Sequence, residues 1–73
     1  MLFLIEYNRR DGQITNFRTF VDSERHKAQD ERLKTELELN RKGIEREIVL
    51  LEAETEKALR RTHRRYFENI AEL

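Results

Sequence analysis

Thr62, His63 and Tyr66 lie within a five-residue stretch near one end of a 73-residue chain. They combine an imidazole able to act as a base, a hydroxyl able to orient it and a phenol able to donate to an oxyanion. The same residue types also serve as polar tips at a packed helix–sheet boundary, where Thr62 would bond back to its own helix. Arg60, Arg61, Arg64 and Arg65 surround the trio, with Lys57 one turn earlier. Arginine grips phosphate or carboxylate through two parallel hydrogen bonds, so this cluster is a candidate surface for nucleic-acid backbone or an acidic protein. Its plain alternative is a charged helix exterior, with Arg60 and Arg64 paired to Glu56 or Glu68.

Other chemistries find less support. The chain has no cysteine, which removes disulfides and thiolate metal sites. His26 and His63 are the only histidines, and neither sits in a ligand-spaced run of His, Asp and Glu, so no metal or other cofactor is expected. Gly12 and Gly43 stand too far apart for a phosphate loop. Glu45 with Glu47, and Glu52 with Glu54, could split acid and base roles if burial separated their pKa values. At the ends of an apolar run they more simply guard a strand against aggregation.

These side chains need a scaffold. Leu2 to Tyr7 and Ile14 to Val21 read as extended segments, joined across Asp11-Gly12, a pair suited to positive-φ turn geometry. From Asp22 or Ser23, each able to cap a helix, strong helix formers run to Lys42, and Gly43 supplies a stop. The apolar stripe of that helix is thin, chiefly Leu33 and Leu37. Asp30–Lys34 and Glu38–Lys42 are favourably ordered pairs four residues apart. Ile48-Val49-Leu50-Leu51 suits a short third strand covered on both faces.

Glu54 or Thr55 then opens a last helix, in which Leu59, Thr62, His63, Tyr66, Phe67, Ile70 and Leu73 gather on one side. Arg61, Arg64, Arg65 and Glu68 gather on the other.

The expected fold is one small α+β domain over residues 1–73, ordered strand, strand, helix, strand, helix. A right-handed crossover sets the third strand parallel in direction to the second, and the apolar first strand lies between them. Both helices are expected on one face, which leaves the other bare and makes a homodimer through the sheet the natural remedy. The competing architecture is a hairpin followed by one long coiled-coil helix, whose seam would include Leu33, Leu37, Ile44, Ile48, Leu51, Leu59 and Tyr66.

Fifteen acidic and fifteen basic residues cancel, which removes the long-range attraction of a dedicated nucleic-acid binder. Locally they segregate: residues 45–56 carry five glutamates against one arginine, and residues 57–73 carry five cations against two glutamates. The opening five apolar residues are too few for a membrane span and lack the flanks of a secretion signal, so a cytoplasmic location is expected. No motif assigns a reaction, and an enzyme is not the favoured reading. A small homodimeric protein-interaction or regulatory module leads. A nucleic-acid-binding dimer using Arg60, Arg61, Arg64 and Arg65 comes second, and a ligand or catalytic site near His63 and Tyr66 third.

Overall fold

A computed structural model describes residues 1–67. Strands β1 (Leu2–Asn8), β2 (Gln13–Phe20) and β3 (Glu47–Glu52) form a sheet in the order β2-β1-β3, antiparallel at both junctions. Leu2, Phe3, Leu4 and Ile5 are all buried, as a central strand with both faces covered requires. The expected strand order and third-strand direction hold. Residues 47–52 are extended, so the unbroken helix of the competing architecture is excluded.

Local chemistry explains the corners. Asn8 Oδ1 accepts from the amides of Arg10 and Asp11 at 3.1 and 3.3 Å, and Gly12 adopts φ 67°, closing the hairpin. A bulge follows, because Glu6 faces Asn16 while Tyr7 faces Ile14, leaving Thr15 as the extra residue. The Thr15 hydroxyl donates to the Glu6 carboxylate at 2.8 Å.

A single 3₁₀ turn (Asp22–Glu24) leads into α1 (Arg25–Lys42). Neither Asp22 nor Ser23 caps it: Asp22 pairs with the Met1 ammonium at 2.8 Å, and the Glu24 carboxylate reaches back to the Val21 amide at 3.0 Å. At its other end Gly43 takes the left-handed conformation, φ 69°, and donates to Asn40 O at 3.1 Å. The Glu38–Lys42 pair forms at 3.2 Å. In place of an Asp30–Lys34 bridge, Arg32 pairs with Glu36 at 3.6 Å.

The expectation of both helices on one face is corrected. Side chains alternate along a strand, so Leu2 and Leu4 face opposite to Phe3 and Ile5. Leu2 and Leu4 cluster with Phe20 and with Ala28 of α1. Phe3 and Ile5 cluster with Leu59, Tyr66 and Phe67 from the last part of the chain. The helices therefore sandwich the sheet. With both faces covered within one chain, the bare face that called for a sheet-to-sheet dimer does not exist.

The stripe of α1 is corrected as well. Ala28 is its one buried residue, whereas Leu33 and Leu37 are 55% and 60% exposed. At 100° per residue they lie 140° and 180° from Ala28, pointing away from the sheet.

Candidate functional site

The last part of the chain builds the densest polar constellation. Helix α2 (Glu56–Thr62) starts at Thr55, whose hydroxyl accepts from the Ala58 amide at 3.0 Å, and seats Leu59 at 0% exposure. The helix ends sooner than its periodicity implied. His63 leaves helical geometry at φ −121° and ψ 54°, and a 3₁₀ turn over Arg64–Tyr66 follows. Continuation through Ile70 and Leu73, and the role of Glu68, lie outside the described residues.

The turn lays Tyr66 and Phe67 onto the sheet. Tyr66 meets Tyr7 edge-to-face at 5.0 Å between ring centroids, and Phe67 meets Phe17 in the same manner at 6.0 Å. Phe17 also leans on Phe3 at 5.8 Å, so the aromatic rings run continuously across this face.

At the rim of that cluster, the Tyr66 hydroxyl donates to the half-buried carboxylate of Glu47 on β3. Arg65 donates to the same carboxylate and, at 2.8 Å, to the Tyr66 oxygen. Arg9 from the hairpin approaches the second Glu47 oxygen at 3.5 Å. Burial, followed by the hydrogen bond to the Glu47 anion, raises the Tyr66 pKa above the usual phenol value, while Arg65 opposes the rise. A phenol so held is a donor and structural tie at neutral pH rather than a base.

The expected trio is not assembled as a unit. The Thr62 hydroxyl donates to Ala58 O at 3.1 Å and Leu59 O at 3.3 Å, both in its own helix. Tyr66 turns to Glu47, and His63 touches it through the backbone, where the Tyr66 amide donates to His63 O at 3.3 Å.

The arginines divide in two. Arg60 pairs with Glu56 at 3.1 Å and lies over the Phe67 ring at 4.8 Å; Arg65 is held by Glu47 and lies over Tyr66 at 4.5 Å. Arg61 and Arg64 are exposed and make no ion pair among the described residues. Sequence reasoning missed Glu47 as the hub. Its only signal was its place with Glu45 at the start of an apolar strand, and its partners lie 18 and 19 residues ahead.

An open groove of about 1060 Å³ lies between the hairpin tip, the end of α1 and the turn leading to β3. Arg9, Arg10 and Arg46 line it together with Glu36, Glu45 and Glu47, so it presents no field of one sign. Arg46 Nε is buried there, 3.6 Å from a Glu6 carboxylate oxygen and without a hydrogen bond. Among the described residues, no group of three His, Cys, Asp or Glu side chains is placed to hold a metal. No helix among them is long and apolar enough to cross a membrane.

Comparison with family models, curated proteins and solved structures returned no match. Function therefore has to be argued from this geometry alone.

Proposed function

We propose that the chain is a protein-interaction module that associates with a second copy of itself through the outer face of α1. The observation that carries this reading is the direction of Leu33 and Leu37. A helix that fully buries only Ala28, half-buries Leu39 and turns Leu33 and Leu37 to solvent is built to be covered from both sides.

The charges flanking this line favour a parallel pairing of two copies. With Leu33 and Leu37 in the seam, Glu36 of one copy comes opposite Arg41 of the other, and Asn40 meets its equivalent. An antiparallel pairing would instead set Lys34 against its own equivalent. Asp30 opposes its equivalent in the parallel arrangement, so the contact starts at Leu33.

Covering the remaining half of each leucine contributes about 1 kcal/mol, from a full-burial range of roughly 1.5–3 kcal/mol. The two leucines from each copy then supply roughly 4 kcal/mol, at the lower bound of association costs. The dimer is weak and reversible.

Sedimentation from 10 µM to 1 mM tests it. The native chain shifts toward dimer as concentration rises, whereas the Leu33→Glu, Leu37→Glu double variant stays monomeric with unchanged circular dichroism. A native chain monomeric throughout that range rejects the reading.

One observation favours a second reading: Arg61 and Arg64 are exposed and make no ion pair among the described residues. Two such cations make a modest phosphate footprint. Binding of labelled duplex or single-stranded DNA that weakens steeply with salt would support it.

A further inference from the structure

The outer stripe of α1 starts before its leucines. At roughly 100° per residue, His26 and Asp30 lie about 160° and 200° from Ala28, in line with Leu33 and Leu37. Both are exposed, and neither side chain makes an ion pair or a hydrogen bond among the described residues. The cations beside them are turned elsewhere: Arg25 holds Glu52 at 3.1 Å, and Lys27 reaches Glu24 at 3.8 Å.

From His26 through Asp30 and Leu33 to Leu37 the stripe runs in steps of four, three and four, the repeat of a two-helix seam. A parallel pairing of α1 therefore sets His26 against its equivalent, one turn ahead of Asp30 against its own. The two Asp30 carboxylates are the flaw in that seam, like charges facing each other with no cation between them.

The same four side chains form a ligand set. Residues four apart on one helical face hold a metal ion together, the spacing of the two histidines in helical zinc sites. Two imidazole nitrogens and two carboxylate oxygens make the four-coordinate shell that zinc prefers. The two Asp30 charges cancel those of the ion, so their repulsion becomes coordination. One chain supplies only half of the shell, consistent with no group of three ligands forming among its described residues.

We infer that His26 and Asp30 are half of a divalent metal site of the zinc class, completed by the same pair from a second copy. The site rests on the α1 pairing proposed above and extends that contact toward the start of the helix.

The test adds zinc chloride to the full chain after its metal has been stripped with EDTA. In sedimentation, one zinc per two chains is expected to lower the concentration of half-dimerisation by about tenfold or more. Cobalt(II) in place of zinc gives the strong visible absorption of a tetrahedral site. His26→Ala loses both responses and keeps the metal-free dimer. Asp30→Asn loses them too, yet dimerises more tightly than the native chain without metal, because the facing charges are gone. Metal-free dimerisation that zinc does not strengthen overturns the site and leaves the leucine contact standing. A zinc response that survives His26→Ala also overturns it. A chain monomeric in EDTA and dimeric with zinc keeps the site and rejects a dimer held by the leucines alone. A chain monomeric to 1 mM under both conditions overturns both.

Discussion

The Tyr66 hydroxyl donates a hydrogen bond to Glu47 across 19 positions of sequence, and Arg65 braces both partners. The tie fixes the last described turn to the edge strand. It joins an aromatic layer that excludes water to a charged rim that faces it.

Tyr66 should therefore titrate later than an ordinary tyrosine. Its folded pKa is raised, first by burial and then by the Glu47 hydrogen bond. The associated stability is complete below the unfolded tyrosine pKa of about 10 and is lost as pH climbs through the higher folded value. Ultraviolet titration of the native chain against Tyr66→Phe should show a late phenol transition in the former alone, with a drop in melting temperature beginning above pH 10. A Tyr66 transition at or below the ordinary value removes the basis of this prediction.

Glu47→Ala should cost about 1–3 kcal/mol, because it strands the Tyr66 hydroxyl in a part-buried setting and frees Arg65. Glu47→Gln keeps an acceptor and should lose less. Urea unfolding of both variants measures the difference, and equal losses would mean that a neutral acceptor rescues nothing and the carboxylate charge carries the whole tie.

Leu59→Ala should be among the most damaging single changes, at roughly 2–5 kcal/mol, since Leu59 has no solvent exposure and sits among Phe3, Ile5, Tyr66 and Phe67. Leu33→Ala, an equal truncation on the outside of α1, should cost below about 1 kcal/mol in the dilute monomer. Comparable losses at the two sites would contradict the assigned direction of α1.

Thr55→Ala removes the side-chain acceptor for Ala58 N and should destabilise by about 1 kcal/mol. Arg61→Ala and Arg64→Ala should stay within about 0.5 kcal/mol, as unpaired surface changes do. Thermal melts of the three variants suffice to rank them.

The positions most readable from sequence were those governed by local chemistry. Gly12 and Gly43 carry the left-handed angles their settings demand, Thr55 caps α2, and Thr62 bonds back to its own helix. The order β2-β1-β3 also followed, because Leu2-Phe3-Leu4-Ile5 is apolar on both faces, as a central strand requires. Helix placement did not follow. A thin stripe such as Leu33 and Leu37 looks the same whether it faces the sheet or the solvent, and an alanine suffices to seat a helix against Leu2 and Leu4. The Glu47 hub escaped notice because its meaning depends on His63 leaving helical geometry, a break that no proline or glycine announces.

That break has a consequence for how the domain is made. Strands β1, β2 and β3 are all synthesised before Tyr66 and Phe67 emerge, yet these two rings close the layer over Phe3, Ile5 and Phe17. A chain cut after Thr62 would keep all three strands and Leu59 yet leave Phe3, Ile5 and Phe17 without the two rings that shield them, so exposed apolar surface and aggregation should follow.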